Sequence, residues 1–420
     1  MAPDAPSILF TGFEPSGDDH ASAVIRELKA AHPSVRVYAW GGKKMEAAGA
    51  EIVEYTGQNA VMGIPGLGKI LEHRAINKRV AAWLDGHPVA VHVPVDSPAA
   101  NFPICKIAKR RGAKVVHLVA PQVWAWGTWR INKLRRLTDF VCCLLPFEES
   151  YFKQRRVPAK FVGHPLFDEL PDPSVLDGAV AGFPEGGARG NGEEWGRKIA
   201  LMPGSRPKEI ERNFPLLIEA FRRLRRDYPD LTGVVAATHA GLEPRLREIA
   251  RRTPTAPGSG DRCTDGWPDG VVIAPEATDA VTRWCDLALV VSGTVTLQIA
   301  RQGKPMVIVY KSSRLMYWAI AKWLLSTPFF SLPNLIAGER VVPELIPHFG
   351  GPERIVDEAV ALLERPERGA QQSAALREIT EKYRGTHAAR GAAAVIAKVA
   401  GLVGQDAGSS PVASAASSAS

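Results

Sequence analysis

The sequence predicts an α/β protein made of two Rossmann-like domains, each a doubly wound parallel sheet, facing each other across a cleft. Three observations carry this. Short apolar runs rich in β-branched residues alternate with helical patterns along most of the chain. The alternation is interrupted by a Pro- and Gly-rich stretch at 171–197. Several of the apolar runs end in small-residue or Asp-containing turns that lead into helices, the edge at which open α/β sheets bind ligands. At 420 residues with 45% hydrophobic residues, the chain is long enough for two full cores.

Taken in order, residues 7–11, 35–40, 89–95, 115–119, 140–145 and 160–162 read as buried strands, separated by helical patterns such as 21–31 and 104–111. The segment 171–197 contains GFPEGGARGNGEEWG and reads as a linker or exposed insertion. A second β/α series begins at Ile199 and continues through 233–237, 271–274, 287–291 and 306–310. Helices are expected within 352–403, followed by the low-complexity tail GQDAGSSPVASAASSAS, whose composition is that of a disordered segment. The expected domains are therefore a first Rossmann-like domain at 1–170, a linker or insertion at 171–198, a second at 199–345, C-terminal helices at 346–403 and a tail at 404–420.

No run of residues is apolar for long enough to span a bilayer, and the start MAPDAPSILFTG lacks a basic n-region and a cleavage site, so a cytoplasmic protein is expected. The five cysteines, with Cys142 and Cys143 adjacent in an apolar run, have neither disulfide-framework nor zinc spacing and read as buried thiols. The histidines form no metal motif, so neither metal nor cofactor is expected. A formal net charge of +8 points to an anionic partner, with basic clusters at 106–114, 130–136, 153–156 and 222–226. Nothing resembles a nucleic-acid module. A nucleotide-sugar, a phosphorylated lipid and an anionic membrane surface all fit.

Two strand-to-helix turns in the second half suggest a diphosphate site. The run LALVV at 287–291 ends in Ser292, Gly293 and Thr294, and a helix is expected to follow as far as Gln302, with Gly303 at its C-cap. The short strand at 198–202 ends in Pro203, Gly204, Ser205 and Arg206, before a helix from about Glu209. A guanidinium offers a fixed fork of donors to two phosphate oxygens. The competing reading is a surface Arg206 paired with Glu209 or Glu211.

In the first half, the turn after the first strand reads GFEPSGDDHAS, and the strand at 89–95 leads into Asp96, Ser97 and Pro98. Asp18 and Asp96 can each be a helix cap. Asp96 is the better catalytic candidate, because a carboxylate at a strand's carboxyl end can take the proton of an attacking hydroxyl. APQVWAWGTWRINKLRR carries Trp124, Trp126 and Trp129 close to Gln122 and Arg130; aromatic core packing and an anion-holding Arg130 are both open. The stretch 312–338 is amphipathic and rich in Trp, Leu and Phe, with Arg314 and Lys322, and reads either as core or as an interfacial surface.

These motifs together resemble the lipid-A-disaccharide synthase family, inverting nucleotide-sugar glycosyltransferases of the B fold, from about Ser7 to Leu363. The resemblance rests on EPSGD at 14–18, GGKKMEAAGAE at 41–51, AVMGI at 60–64, PQVWAW at 121–126, LPFE at 145–148, VGHPL at 162–166, PGSR at 203–206, SGT at 292–294 and SLPNLIAG at 331–338. It implies transfer of 2,3-diacylglucosamine from UDP to 2,3-diacylglucosamine 1-phosphate, giving a β-1,6-linked disaccharide. It also implies a peripheral site on the inner face of the inner membrane, and leaves homodimer formation open. By the same resemblance Asp96 is the catalytic base and Arg206 acts near the donor diphosphate. Gly204, Ser205, Ser292, Gly293, Thr294 and Gln298 would bind the donor. Glu14, Ser16, Gly17, Asp18, Met62, Gln122, Trp124, Arg130 and Asn334 would line the acceptor side.

The departures from the family pattern are specific. DxPDFN appears as DSPAAN, placing Ala99 and Ala100 where an acid and an aromatic are expected; Phe13 replaces a Gly; and Gly66 stands where a Glu is usual. SGTxxLE has become SGTVTLQ, so Gln298 replaces the carboxylate expected on the ribose hydroxyls. Gln can still accept one bond but without charge assistance. A related enzyme with another donor or acceptor, an epimerase of the same fold, and a non-catalytic relative are the alternatives; retention of both Asp96 and Arg206 argues against the last.

Overall fold

A computed structural model describes residues 6–56, 67–125, 127–185, 198–254, 263–264, 266–313 and 327–402. The chain divides into two compact units, one formed by Met1–Gln122, Trp129–Pro165 and Thr386–Ser420, the other by Val123–Thr128 and Leu166–Gly385.

The first unit is a seven-stranded parallel sheet: β1 (Ser7–Thr11), β2 (Arg36–Gly41), β3 (Glu51–Tyr55), β4 (Val91–Pro94), β5 (Lys114–Leu118), β6 (Phe140–Cys143) and β7 (Ala159–Phe161), in the order β3-β2-β1-β4-β5-β6-β7. Period-two alternation explains how one strand serves two layers: Ile8 and Phe10 enter one core with Val24, Ile25 and Leu28, while Leu9 enters the other with Ile76, Val80 and Leu84. Helices α1 (Pro15–Ala31), α2 (Lys43–Ala47), α3 (Leu67–Gly86), α4 (Pro98–Arg110), α5 (Ile131–Leu137) and α6 (Pro146–Gln154) follow the strands. The last helix of the chain, Ala388–Ala400, also belongs to this unit, and its Ala392, Ala393 and Ile396 complete the core against α1.

The second unit is a six-stranded parallel sheet of β8 (Lys198–Met202), β9 (Thr232–Ala237), β12 (Val271–Pro275), β13 (Leu287–Val291), β14 (Met306–Lys311) and β15 (Glu344–His348), ordered β12-β9-β8-β13-β14-β15. A two-stranded hairpin, β10 (Cys263–Thr264) and β11 (Trp267–Pro268), lies outside it. Its helices are α7 (Pro173–Val180), α8 (Pro207–Asp227), α9 (Glu243–Arg252), α10 (Thr278–Trp284), α11 (Val295–Arg301) and, toward the C-terminus, Leu332–Ala337, Glu353–Glu364 and Pro366–Glu381.

Every strand expected from sequence is present, with ends moved by a residue or two. The hairpin strands β10 and β11 were not expected, and neither were β3 and β15. The latter two are sheet edges, and their composition, EIVEY and ELIPH, mixes charge or Pro with apolar residues as edges do. The segment read as a linker holds helix α7, capped by Asp172 and anchored by Trp284, whose ring N–H donates to Pro184 O at 3.0 Å. Residues 186–197 and 403–420, which contain the end of the Gly-rich insertion and the tail, lie outside the described residues.

Sheet order locates the ligand edge of each unit. In the first, the chain leaves β1 toward β2 and β3, then returns to lay β4 on β1's other side. In the second it leaves β8 toward β9 and β12, then returns to place β13 beside β8. Successive connections diverge at these two points and open a crevice at the strands' carboxyl ends.

Candidate functional site

The first unit's switch point is flanked by the turn after β1 and the turn after β4. The EPSGD motif is not a loop: Pro15 opens α1, so Ser16, Gly17 and Asp18 form its first turn and Glu14 is the N-cap residue. Ser16 is exposed and Gly17 buried, packed toward Val95. Asp18 caps a helix other than its own. Its carboxylate accepts from the backbone N–H of Gly42 (3.1 Å), Lys44 (3.1 Å) and Met45 (3.0 Å), the orphan donors at the start of α2. That carboxylate occupies the space a Cβ would need at Gly42, and the Met45 side chain occupies it at Gly41, which together account for the GG pair there.

Asp96 stands just past β4. Its N–H donates to Leu118 O at 3.1 Å, continuing the parallel pairing with β5, and its φ is +48°; Ser97 follows at φ +29°. Two successive non-Gly residues at positive φ cost on the order of 1–3 kcal/mol each, and such conformations concentrate at functional sites. Asn101, fully buried in α4, holds the turn: its Nδ2 donates to Val95 O and to Asp96 O, both at 3.1 Å. Its Oδ1 accepts from Thr11 Oγ1 at 2.7 Å, and Thr11 Oγ1 lies 2.9 Å from His92 Nε2.

Two further histidines lie at this edge. Burial pulls the His20 imidazole below its ordinary pKa, while the neighbouring Asp96 and Asp19 charges pull it up. Burial pushes His164, in VGHPL, down to about 4, with His20 adding to the effect. Sequence reasoning missed Thr11, His20, His92, Asn101 and His164. For Thr11, His92 and Asn101 the available signal was a polar residue at an inward position of an apolar run, SILFT, VHVPV and ANFPICKIA, which a core does not accept without a partner.

In the second unit, β8 and β13 are adjacent, with Met202 paired to Val290, so both predicted turns leave the sheet side by side. Gly204 has φ +96°, a conformation that favours Gly, and a side chain there would meet Val291 Cγ1 at 3.6 Å and Glu209 Oε2 at 3.3 Å. Ser205 and Arg206 are exposed. Arg206 Nη1 donates to Glu209 Oε1 at 2.8 Å, the pairing considered as the alternative to phosphate binding. Half-exposed guanidinium–carboxylate pairs of this kind contribute little, so the bond is no obstacle to an incoming anion.

On the other turn, Ser292 N–H extends the sheet to Val309 O at 3.1 Å, and Gly293 and Thr294 are exposed. Helix α11 then starts at Val295, and its first amides have no partner within the helix. Gln298 lies one turn beyond Thr294 on the same face, partly buried. Gly303, at φ +64°, ends the helix as expected.

The remaining candidates divide. Asn334 is fully buried and fully used: Nδ2 donates to Val342 O at 3.0 Å and Glu344 Oε2 at 2.9 Å, and Oδ1 accepts from Val341 and Val342 N–H, both at 2.9 Å. Glu344 also accepts from Ser331 N–H at 3.0 Å and Ser331 Oγ at 2.6 Å, so SLPN ties its helix to β15. Asn334 therefore holds scaffold in this structure, with no bonding capacity left for a ligand. Gln122 is exposed, Trp124 buried, Trp129 exposed and Arg130 partly buried in a 3₁₀ turn, Thr128–Arg130. Met62 and Gly66, together with 314–326 of the amphipathic stretch, lie outside the described residues.

Four cysteines, Cys105, Cys142, Cys143 and Cys285, are buried free thiols; burial raises all four, Cys142 and Cys285 to about 12. Among the described residues no three His, Cys, Asp or Glu side chains cluster as metal ligands, and no helix is long and apolar enough to cross a membrane.

The family model described as lipid-A-disaccharide synthetase matches residues 8–398. This chain belongs to that family. It is a glycosyltransferase of lipid A biosynthesis. Lipid-A-disaccharide synthase of Geobacter metallireducens is 35% identical over 81% of this chain and 83% of its own length, and that of Myxococcus xanthus is 35% identical over 81% and 84%. Among solved structures, a UDP co-structure of Staphylococcus aureus MnaA aligns over 95% of this chain and 98% of that one, with a TM-score of 0.59 at 12% identity. The kitacinnamycin glycotransferase aligns over 94% of this chain and 100% of that one, with a TM-score of 0.56 at 16% identity. These likenesses show the two-domain α/β glycosyltransferase fold.

Within the family, the departures have definite places. Ala99 is exposed and Ala100 buried in the first turn of α4, Phe13 meets His73 edge-on at 5.7 Å between ring centroids, and Gln298 lies on α11.

Proposed function

We propose that this glycosyltransferase transfers 2,3-diacylglucosamine from UDP to the 6-hydroxyl of 2,3-diacylglucosamine 1-phosphate, with Asp96 as general base and Arg206 on the donor diphosphate. The observation that carries the assignment is the strained Asp96 turn at the first unit's switch point, held by buried hydrogen bonds. In the proposed step the Asp96 carboxylate takes the acceptor hydroxyl proton as that oxygen attacks the anomeric carbon. The bond from that carbon to the UDP oxygen breaks, the electron pair leaves with UDP, and configuration inverts. Arg206 and the amides of Gly293, Thr294 and Val295 offset the charge gathering on the diphosphate. Gln298 accepts one hydrogen bond from the ribose in place of the usual carboxylate.

Both proposed substrates carry fatty chains, so the reaction belongs at a bilayer. The segment 314–330, with the basic clusters, is the proposed contact with an anionic inner-membrane surface, each Lys or Arg near the headgroups adding about 1 kcal/mol. Trp323→Glu should weaken co-sedimentation with anionic liposomes, and binding equal to wild type by the folded variant would remove this surface.

The chemistry is tested by UDP release from the diacylated donor, with and without 2,3-diacylglucosamine 1-phosphate. Release that needs the acceptor, with formation of the β-1,6 disaccharide, supports the reading. Acceptor-independent release, or preference for another UDP-sugar, would point to a rebuilt pocket around Gln298.

A further inference from the structure

We propose that His92, Thr11 and Asn101 form a positioning relay whose one purpose in the reaction is to fix the backbone of the Asp96 turn, and with it the carboxylate. The inference rests on the reading of Asp96 as general base. All three side chains are completely buried, on three elements: β4, β1 and α4.

The direction of the relay follows from valence. Asn101 faces two backbone carbonyls, Val95 O and Asp96 O, so the side chain's Nδ2 must point at them; a flipped amide would set oxygen against oxygen. Its Oδ1 is then the acceptor for the Thr11 hydroxyl. With its proton committed to Asn101, Thr11 Oγ1 can only accept from His92, which must carry its hydrogen on Nε2. The other ring nitrogen, Nδ1, is buried with no hydrogen-bond partner, which suits a bare lone pair and would penalise a second proton. Burial, with the neighbouring His117, keeps the imidazole neutral, its pKa near 3. The donors thus run one way, from His92 through Thr11 and Asn101 to the two carbonyls on either side of the Asp96 N–H.

That N–H is itself tied to Leu118 O at 3.1 Å, so the peptide planes before and after Asp96 are both anchored. An ordinary N-capped turn would let Asp96 and Ser97 relax to negative φ. The relay denies them that. The side chain is thereby presented from a backbone conformation that the residues themselves disfavour.

The test uses Thr11→Val, which keeps shape and removes the hydroxyl, Thr11→Ser, which restores it, and Asn101→Asp, which turns the Nδ2 donor into an acceptor. Each is made in the wild-type chain and with Asp96→Asn, and thermal unfolding is followed alongside. In the wild-type chain, Thr11→Val and Asn101→Asp should lower kcat by roughly tenfold or more, leave the donor KM within about twofold, and be rescued at Thr11 by Ser. With Asp96→Asn present, Thr11→Val should add less than about a twofold loss, because the group it positions is gone. If folded Thr11→Val and Asn101→Asp both keep kcat within twofold while Asp96→Asn alone loses turnover, the relay is refuted and Asp96 stands. If the Thr11→Val loss persists in full beside Asp96→Asn, the relay does not act through Asp96 and is likewise refuted. Retained turnover in Asp96→Asn alone removes the base assignment, and the relay with it.

Discussion

Arg206 and Gln298 mark the two ends of the proposed nucleotide pocket, and each makes a prediction about UDP. Losing one charge-assisted bond to a phosphate should weaken binding, or transition-state stabilisation, by about 1.5–3 kcal/mol. Arg206→Ala, followed by calorimetric UDP titration and kinetics, should show that loss in one or the other; unchanged values in both would remove Arg206 from the site. The ion pair with Glu209 is no objection, since an exposed pair three residues apart is a weak competitor for a diphosphate. At the other end, Gln298→Glu restores the carboxylate that the family resemblance implies on the ribose, and UDP should bind more tightly. Equal or weaker affinity would mean that the pocket has been remade for another nucleotide. Asp18 and Asn334 are the contrasting cases. Both lie in motifs that resemble the family's, yet each side chain is occupied with backbone groups.

At the scale of elements, Asp18 predicts a stability effect: it satisfies three amides at the start of α2, so Asp18→Ala should destabilise the protein by about 1–2 kcal/mol in chemical unfolding. An unchanged midpoint would show that water replaces the carboxylate without loss. The strands were legible because parallel, doubly covered strands are near-continuous apolar runs, as LALVV and SILFT are. Strands β3 and β15 were not, since EIVEY is half-exposed and carries two Glu, and ELIPH, though mostly buried, interrupts its apolar residues with Glu and Pro. The start of α1 was placed six residues late because SGDD looks like loop, whereas Pro15 at the first helical position is the better signal. The places of Asp96 and the paired turns at strand ends could be read from sequence because each apolar run and the turn that ends it are local. The Thr11–Asn101 bond could not, because it joins residues far apart in the chain through a core whose register the sequence does not state.

Across the whole molecule, buried neutral histidines set an acid limit. Burial pushes His92 and His117 down to about 3, against an ordinary value of 6.5. Their pKa is lower in the folded state, so the stability they allow is fully present above about pH 6.5. It is lost as pH falls from there toward 3, where only the unfolded chain takes up their protons. Each contributes a slope of about 1.4 kcal/mol per pH unit within that window. His117→Gln should make the fall in unfolding free energy between pH 6 and pH 4 shallower by about that amount per unit, and an unchanged slope would show that His117 is not held neutral. The proposed role of Asp96 is the proton transfer of this glycosyltransferase. It is tested most directly by turnover and UDP affinity of Asp96→Asn, measured with the diacylated donor and 2,3-diacylglucosamine 1-phosphate. In Asp96→Asn, kcat should fall roughly 10²-fold or more while UDP binds as in wild type; turnover close to wild type would contradict the assignment.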